Sequence, residues 1–350
     1  MNKIKLEDLG YDNFFRIEDS SDYSIARVIS EHKELYRIKN AEGEYSAKIT
    51  GKQIFNAKKR EDYPAVGDWV KITILDKESA IIHQVLRRRT ILSKKYNNRD
   101  DNQIIATNVD TVFIVESLDN NYNLNRFERY LVLINEGKIK PAIILNKIDL
   151  ISEEELNKII EEVKNRFNNV DIILTSTLND KGTDKLIEYI EKGKTYCFVG
   201  SSGVGKSSLI NKLLEENQIK TGEISEATGK GKHTTTSREM YFLNNGGIVI
   251  DNPGTRGVGM TSVNQGIENI FDQIISLSKE CKFRDCTHTH ESGCAVLRAV
   301  KEDLLDKEKY LNYIKIKREA EYYEMDEFEK REKDRKFGKF VKRKLKELDL

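Results

Sequence analysis

Long hydrophobic runs are missing from this sequence of 350 residues. A helix that crosses a membrane needs about 18 consecutive apolar residues, and the longest strand-like runs, such as 111–115 and 142–145, have only the length of core strands. The first residues also lack the apolar segment and the small-residue cleavage site of a secretory signal. The sequence therefore predicts a cytoplasmic protein that meets no membrane.

A large net charge of either sign is missing as well, because 59 lysines and arginines face 58 aspartates and glutamates. The formal net charge of +1 excludes a globally basic nucleic-acid binder, although it allows local basic patches. The hydrophobic fraction of 38% is enough for cores in a chain of this length. With roughly 150 residues per domain, the length predicts two or three domains.

Cysteine is scarce, and three of the four residues, Cys281, Cys286 and Cys294, crowd into one short segment. In a reducing compartment this spacing indicates a metal site rather than disulfides. Three thiolates and one imidazole, from His288 or from the competing His290, would complete a closed tetrahedral zinc site.

Short alternating strands fill residues 22–90, and turn signals separate them. Five strands in so short a stretch predict a small barrel. The five-stranded OB type is the natural candidate, and any other small β-module is the alternative. The predicted strands are 25–30, 35–39, 44–49, 68–74 and 80–85.

Apolar strands alternate with amphipathic helices between residues 103 and 275, which predicts a parallel sheet covered by helices on both faces. Residues 276–350 hold the cysteine and histidine cluster, followed by a charged helical tail. The strands of the sheet are predicted at 111–115, 142–145, 172–175, 195–199 and 247–250, and the helices at 124–135, 153–167, 183–190 and 206–214.

One glycine-rich motif, at 200–207, matches the pattern G-x-x-x-x-G-K-[ST] at every position, between a predicted strand and a predicted helix. Its glycines let backbone N–H groups turn inward around phosphates, and the helix N-terminus adds partial positive charge. Lys206 would reach the β- and γ-phosphates, and the Ser207 hydroxyl would bind Mg²⁺. The predicted phosphate-binding residues are Gly200, Ser201, Ser202, Gly203, Val204, Gly205, Lys206, Ser207 and Ser208.

A second motif, Asn146-Lys147-Ile148-Asp149, follows a buried strand and identifies the nucleotide. The Asp149 carboxylate can accept hydrogen bonds from N1–H and N2–H₂ of guanine, whereas adenine would leave it unpaired. Asn146 can support the phosphate loop, and the stem of Lys147 can lie over the base. Ser176, in a loop after the next strand, is predicted to contact the base as well.

Two further segments predict a magnesium site and a switch. Asp251 ends a predicted strand and can hold Mg²⁺ through water, and the N–H of Gly254 can meet the γ-phosphate. Between this motif and the phosphate loop, Thr235 can bind Mg²⁺ only when the γ-phosphate is present, with Thr234 as the second choice. The predicted magnesium ligands are therefore Ser207, Thr235 and Asp251.

The order of these motifs differs from that of ordinary GTPases, because the guanine motif at 146–149 precedes the phosphate loop. A circular permutation of this kind leaves the sheet able to close in the same way. Together with the predicted barrel and the cysteine cluster, the order resembles the RsgA (YjeQ) family of bacterial GTPases of small-ribosomal-subunit maturation. The stretches that carry the resemblance are 63–70, 108–112, 200–208, 229–236 and 291–296.

The resemblance implies a multidomain α/β protein. Its parts would be an N-terminal extension (1–21), an OB-fold-like barrel (22–90), a circularly permuted P-loop GTPase domain (91–275) and an α-rich zinc-binding domain with a basic helical tail (276–350). It implies Mg²⁺ bound with GTP, and GTP or GDP and the small ribosomal subunit with its ribosomal RNA as partners of a monomer. It also implies one structural Zn²⁺ bound by Cys281, Cys286, His288 and Cys294.

The residue that positions the attacking water does not follow the usual pattern. Ras-like enzymes place a glutamine after the D-x-x-G motif, whereas this sequence has Thr255 and the resemblance implies a hydrophobic residue. Threonine is too short to orient water as glutamine does, so we expect slow hydrolysis that a partner stimulates. Beside Lys206 and Thr235, the candidate catalytic residue is His233, with a solvated switch histidine as the alternative.

Basic residues without acidic ones occupy residues 87–99, and residues 331–350 are also rich in lysine and arginine. Such patches beside an OB-like barrel can meet RNA phosphates, although a solvated charged face is the alternative. The basic residues of the first run are Arg87, Arg88, Arg89, Lys94, Lys95 and Arg99.

Subunit-stimulated GTP hydrolysis is the predicted function. A GTP-gated RNA-binding module with incidental hydrolysis is the alternative, and a P-loop small-molecule kinase is a third hypothesis.

Overall fold

The computed structural model describes residues 4–16, 23–32, 35–95, 102–119, 122–215, 219, 238–252, 263–325, 328–333 and 335. The chain divides into two compact units, Met1–Gly259 and Met260–Leu350. Within these described ranges, none of the helices combines the length and the apolar character that a membrane span requires.

The first five strands close into a barrel, because their order is β1-β2-β3-β5-β4 and a further pairing joins β4 to β1. All neighbours are antiparallel except β3 and β5. The prediction of a closed five-stranded barrel is confirmed, and each predicted strand end lies within two residues of the observed one. The strands are β1 (Ser24–His32), β2 (Leu35–Lys39), β3 (Glu44–Ile49), β4 (Trp69–Ile74) and β5 (Ser79–Val85).

The N-terminal segment packs against this barrel. A 3-10 helix at Leu6–Leu9 and the short helix α1 (Asn13–Arg16) bring Tyr11 and Phe15 into a cluster with Trp69. The rings of Tyr11 and Trp69 lie 4.8 Å apart, edge to face. Since Trp69 is fully buried, the segment that the sequence suggests as an extension is part of the folded first unit.

A buried arginine joins the N-terminal segment, the barrel and the following sheet. Arg27 on β1 is 1% exposed, and its guanidinium donates hydrogen bonds to the carbonyl oxygens of Leu9 and Asn108 and, at 2.9 Å, to the hydroxyl of Thr195. Burial lowers the pKa of Arg27 to about 10, so the group stays charged at neutral pH. A buried charge is costly unless its donors are paired, so these bonds favour one arrangement of the three elements.

The parallel sheet follows the order β10-β9-β8-β11-β13-β12, and β12 is antiparallel to β13. The predicted parallel sheet is confirmed. Because the carboxyl ends of its parallel strands lie at one edge, the polar residues that follow them can meet in one site. The strands of this sheet are β8 (Thr111–Ser117), β9 (Lys140–Asn146), β10 (Asp171–Thr175), β11 (Thr195–Val199), β12 (Arg238–Phe242) and β13 (Ile248–Asp251). Before them along the chain, β6 (Ile91–Lys95) and β7 (Asn102–Thr107) form a separate two-stranded antiparallel sheet.

Strand β12 also pairs with β1, with Arg238 opposite Glu31, so barrel and parallel sheet form one continuous sheet of eleven described strands. The sequence analysis predicts neither β12 nor the hairpin of β6 and β7. Strand β12 begins with charged residues, and the lysines of β6 have the pattern of a surface charge run, so both strands lack a clear alternation of apolar and polar residues.

Four helices of the first unit follow the predicted alternation with the strands, namely α3 (Leu124–Glu136), α4 (Glu153–Arg166), α5 (Thr183–Tyr189) and α6 (Lys206–Leu214). A short helix, α2 (Gly51–Asn56), lies between β3 and β4. The described part of the second unit is helical and contains no strand. Its helices are α7 (Asn264–Ile270), α8 (Asp272–Ser278), α9 (Ala295–Lys301) and α10 (Lys307–Glu324).

Candidate nucleotide site and metal centre

The phosphate loop joins β11 to α6, and two of its glycines leave no room for a side chain. Gly200 has φ 146°, and a Cβ there would lie 2.3 Å from the carbonyl oxygen of Val115. Gly205 has φ 97°, and a Cβ there would lie 2.3 Å from Nδ2 of Asn146. The loop therefore packs tightly against β8 and against the guanine motif, and its shape requires glycine at both positions.

Lys206 begins α6 and folds back over the loop. Its Nζ donates to the carbonyl oxygens of Gly200 at 2.9 Å and Ser201 at 2.8 Å, and the residue is buried. Burial lowers the pKa of Lys206 to about 8, and the negative charge of Asp251 opposes the shift. An ammonium held by two carbonyls in a buried loop is well placed to bind a phosphate, which is a stronger acceptor.

Asp251 ends β13 beside this loop, because β13 pairs with β11 and places Asp251 opposite Phe198. Its side chain is buried, and neither carboxylate oxygen accepts a hydrogen bond from a described residue. Burial raises the pKa of Asp251 to about 6, although the positive charge of Lys206 opposes the shift. Buried oxygens without donors fit a hydrated Mg²⁺, for which Ser207 at the start of α6 is the second candidate ligand.

Asn146 connects the guanine motif to the phosphate loop. It ends β9, and its Nδ2 donates to the carbonyl oxygen of Val204 at 2.8 Å. Its Oδ1 accepts from the hydroxyl of Thr175, its partner on β10, at 3.0 Å. All three side chains are buried, so two motifs that lie far apart in the sequence are joined into one site.

Asp149 lies in a 3-10 turn, Ile148–Leu150, and faces the loop that follows β10. The hydroxyl of Ser176 donates to its carboxylate, and the backbone of Ser176 is held in turn by a hydrogen bond from its N–H to the carbonyl of Lys181 at 2.9 Å. The two segments that the sequence assigns to the base therefore lie side by side.

The structure adds two acidic residues at the end of β8 that the sequence analysis does not single out. Asp119 lies 3.3 Å from Nζ of Lys147 and also accepts a hydrogen bond from the hydroxyl of Ser117 at 2.8 Å. Glu116 is fully buried and pairs with Arg126 of α3. Burial raises the pKa of Glu116 to about 8. Their position in the sequence could have identified them, because carboxylates at or just after the end of a parallel strand lie at the edge of the sheet where ligands bind.

The cysteine–histidine cluster lies in the second unit, where the four candidate ligand atoms are all within 4.8 Å of one another. The sulfurs of Cys281 and Cys294 are 3.8 Å apart, and Nδ1 of His288 lies 3.6 Å and 3.5 Å from them. A tetrahedral site with Zn–S bonds of about 2.3 Å separates two thiolates by about 3.8 Å, so the donors fit one Zn²⁺. Cys286 supplies the fourth position.

Neighbouring elements hold these ligands in place. Cys294 caps α9, and its sulfur accepts from the N–H of Leu297 at 3.4 Å. The hydroxyl of Tyr310 donates to the carbonyl of His288 at 2.7 Å. His290 is exposed and lies outside the group of ligand atoms, so the geometry favours His288 over its competitor.

The basic run at 87–99 is partly internal, which the sequence alone does not show. Arg88 donates to the buried carboxylate of Asp68 and to two backbone carbonyls, and Arg89 pairs with Asp12 and Asp110. These two arginines hold the barrel, its N-terminal segment and the start of the parallel sheet together, so they are not free to serve as an RNA-binding surface.

Several predicted site residues lie outside the residues that the structure describes. These are His233, Thr235 and Gly254, together with Thr255 and Arg99. Among the predicted phosphate contacts, Ser202 and Gly203 lie on the loop between β11 and α6, and Ser207 and Ser208 lie in the first turn of α6.

Comparison with known proteins agrees with this arrangement. A family model described as RsgA GTPase matches residues 85–261. The chain is 41% identical over 334 residues to small ribosomal subunit biogenesis GTPase RsgA 1 of Bacteroides thetaiotaomicron, which covers 94% of this chain and 93% of the relative. It is 40% identical over 300 residues to RsgA 2 of Lactiplantibacillus plantarum, which covers 85% and 84%.

Two solved structures resemble the fold over most of the chain. YjeQ from Thermotoga maritima is 27% identical with a TM-score of 0.59, covering 83% of this chain and 96% of its own. YloQ, described as a circularly permuted GTPase, is 23% identical with a TM-score of 0.58, covering 88% and 98%, and supports the fold alone. The permuted order of motifs therefore matches a known arrangement of the sheet.

Proposed function

The chain belongs to the RsgA GTPase family and is a GTP hydrolase with a circularly permuted fold, and we propose that it assists the late maturation of the small ribosomal subunit. The names of its relatives, which are small ribosomal subunit biogenesis GTPases, support the choice of partner. The observation that carries the proposed nucleotide site is the hydrogen bond from Asn146 to the carbonyl of Val204, because it joins the motif that contains Asp149 to the phosphate loop.

In the proposed site, Asp149 selects guanine and Asn146 holds the base loop against the phosphate loop. Lys206 exchanges its two carbonyl partners for oxygens of the β- and γ-phosphates, where its charge stabilises the transition state. Bound together with GTP, Mg²⁺ would neutralise phosphate charge, and Ser207 and Asp251 would hold it.

The remaining assignments come from the sequence. We propose that Thr235 and Gly254 complete the γ-phosphate site and that His233 positions the attacking water. Since Thr255 stands where other GTPases carry glutamine, hydrolysis is slow in the isolated protein and is stimulated by the subunit. The zinc ion is structural, because four protein ligands leave no open position for chemistry.

We also propose that the protein is a cytoplasmic monomer. The domain boundaries proposed from the sequence are residues 21/22, 90/91 and 275/276. Light scattering of the purified zinc-loaded protein tests the monomer, and limited proteolysis with mass spectrometry tests the boundaries.

The experiment that tests the function measures GTP hydrolysis by the zinc-loaded protein, with and without purified small subunits, at low and moderate salt. We expect stimulation by small subunits and not by large ones, weakening as salt screens the contacts. Tight GTP-dependent binding without stimulation would support a gated RNA-binding module instead. Neither binding nor stimulation would contradict the proposed partner.

A further inference from the structure

A cleft of about 180 Å³ lies where the barrel meets the parallel sheet, and none of the described residues that line it is a predicted residue of the nucleotide site. Its walls come from β1, β2, β7, β12 and the segment that follows a 3-10 helix at Arg60–Asp62. The polar and aromatic lining residues are Glu31, Tyr36, Arg60, Tyr63, Gln103 and Arg238.

Arg238 carries an unused hydrogen-bond donor in this cleft. Its side chain is 17% exposed, and its Nε is buried without a hydrogen-bond partner among the described residues. The carboxylate oxygen Oε2 of Glu31 is 4.0 Å from Nη1 of Arg238, which is longer than a hydrogen bond. Because a buried donor without an acceptor is costly, the position favours binding of an acceptor from outside the chain.

The charges around the cleft favour an anion. Arg60 stands at its rim, and Lys94 on β6 lies close enough to Arg238 for their charges to repel, which together with burial lowers the pKa of Lys94. Glu31 is the acidic residue among the described residues of the lining, and burial raises its pKa although the positive charges of Arg238 and Arg60 oppose the shift. Asp68, whose charge also faces Glu31, is already paired with Arg88.

A second, more apolar hollow of about 590 Å³ adjoins the cleft and shares Tyr36 and Tyr63 with it. Its lining includes Leu35, Ile54 and Lys48. A phosphate next to an aromatic and apolar hollow is the arrangement that a single-stranded nucleotide requires, with the base stacked on an aromatic side chain. A free anion would make no use of this second hollow.

We propose that the cleft binds a phosphodiester group of an RNA strand, held by Arg238 with Arg60 and Gln103, while the adjoining hollow takes a base. The planar guanidinium matches the oxygens of a phosphate and can contact two of them at once. The proposal deepens the proposed function and rests on it, since it names a surface through which this chain would contact ribosomal RNA.

The place of Arg238 gives this contact a route to the nucleotide site. It begins β12, and the next residue, Glu239, lies opposite Asp251 in the β12–β13 pairing. An RNA phosphate bound by Arg238 would therefore restrain the strand beside the candidate magnesium ligand. RNA that occupies the cleft should stimulate hydrolysis more in the wild type than in a variant without the guanidinium.

The test measures binding of a fluorescent single-stranded RNA of about ten nucleotides to the full-length, zinc-loaded protein saturated with Mg²⁺ and GDP. We expect Arg238→Gln and the rim variant Arg60→Gln each to weaken binding by about tenfold and to reduce the salt dependence by about one phosphate contact. The control Arg16→Gln, which removes the same charge from an exposed residue outside the cleft, should change binding less than twofold.

Glu31→Gln tests whether the cleft binds a phosphate, because it removes the carboxylate that competes with an anion for Arg238. A gain in RNA affinity in this variant could not result from unfolding of the cleft. Stronger RNA binding supports the phosphate assignment. Weaker binding would mean that Glu31 contacts a base edge and would overturn it. Equal effects of Arg238→Gln and Arg16→Gln would overturn the cleft as a site while leaving stimulation of hydrolysis by small subunits, and thus the proposed function, intact.

A parallel titration with inorganic phosphate separates the two possible sources of the anion. With the nucleotide site occupied by GDP, stabilisation of the wild type but not of Arg238→Gln against thermal unfolding supports a phosphate site in the cleft. If phosphate stabilises the protein in this way but the RNA does not bind, the RNA assignment is wrong. If small subunits fail to stimulate the wild type, the proposed function fails, and this titration still decides whether the cleft binds phosphate.

Discussion

The cysteine–histidine cluster and the nucleotide site are both suited to a metal ion, but their ligands come from different distances along the chain. The cluster takes all four ligands from the segment between Cys281 and Cys294, and their donor atoms are already at the spacing of a tetrahedral zinc site. The nucleotide site takes Lys206 from the start of α6 and Asp251 and Asn146 from the ends of β13 and β9.

The difference shows what each ion contributes. A zinc ion with four protein ligands contributes directly to folding. A magnesium ion that shares its ligands with phosphate contributes mainly when the nucleotide binds. In keeping with this, the buried carboxylate oxygens of Asp251 have no hydrogen-bond donor among the described residues. We therefore expect the zinc cluster to contribute strongly to the stability of the folded protein. We expect the nucleotide site to lower the stability of the nucleotide-free protein, because its buried polar groups are arranged for a ligand.

Loss of zinc should have the largest effect. We expect Cys294→Ser, which removes one of the four ligands, to abolish zinc binding, measured by elemental analysis. The effect should be large because apparent binding energies of structural zinc are of the order of 10 kcal/mol. The segment from 281 to 301 should lose its protection from hydrogen exchange, while GDP affinity stays unchanged. The matched control is His290→Ala, which removes the exposed imidazole and should keep the metal. Loss of zinc in the control would mean that the ligand set is wrong.

Loss of the phosphate-loop lysine should act in the opposite way. We expect Lys206→Ala to reduce single-turnover GTP hydrolysis by roughly 10²- to 10³-fold, because it removes a cation from the developing phosphate charge. The nucleotide-free protein should be at least as stable as the wild type, since burial penalises this ammonium.

Lys212→Ala on the same helix is the control for this change. Its ammonium is exposed and pairs with Asp180, so its loss should alter neither hydrolysis nor stability by a measurable amount. A clear loss of stability in Lys206→Ala would contradict the expectation that the buried ammonium destabilises the nucleotide-free protein.

Much of the fold could be predicted because its signals are local. The barrel strands alternate in burial, as in β2 and β3, and the parallel strands are apolar runs followed by helices. Strand β12 could not be predicted, because its burial depends on partners from both the barrel and the parallel sheet. Arg88 shows the same limit, since its partners, the carboxylate of Asp68 and the carbonyls of Glu61 and Tyr63, lie 20 or more residues away in the sequence.

The candidate site could be predicted where a sequence motif indicates which ligand group its residues bind, as in the phosphate loop and the guanine motif. Glu116 and Asp119 belong to no motif, and their importance depends on Arg126 and Lys147, which approach them only in the folded chain. The cleft around Arg238 is of the same kind, because five separate segments form it.

Glu116 offers a pH test of the cost of buried charge in the nucleotide site. Its pKa in the folded protein is about 8, against an ordinary value of 4.5, because burial disfavours the carboxylate. The folded state therefore keeps a proton that the unfolded state has lost, and the stability falls as the pH rises from 4.5 to 8. We expect Glu116→Gln to match the wild type near pH 4 and to be more stable by about 2 kcal/mol above pH 8.

The loss of a partner for Arg126 limits this gain. Urea unfolding of the nucleotide-free protein across this pH range measures it. A variant that is less stable than the wild type at pH 9 would show that the ion pair with Arg126 outweighs the cost of burial.

The smallest effect concerns the positioning of Lys147. Asp119 holds its ammonium at 3.3 Å while Lys147 adopts a left-handed backbone, so the carboxylate fixes the direction of the side chain that is proposed to lie over the base. We expect Asp119→Asn to weaken binding of fluorescent GDP several-fold, or by about 1 kcal/mol, through faster dissociation. Binding of inosine diphosphate should weaken by the same factor in Asp119→Asn, because Asp149 rather than Asp119 is assigned to the edge of the base.

A double-mutant cycle shows whether Asp119 acts through Lys147. Asp119→Asn should have little further effect in a Lys147→Ala background, because the group that it positions is already gone. The matched control is Asp171→Asn, which breaks the exposed Lys140–Asp171 pair at the start of β10, at the opposite end of the parallel strands. If the effects of the two substitutions at Asp119 and Lys147 are additive, Asp119 contributes to the site by a route other than Lys147, such as its contact with Ser117.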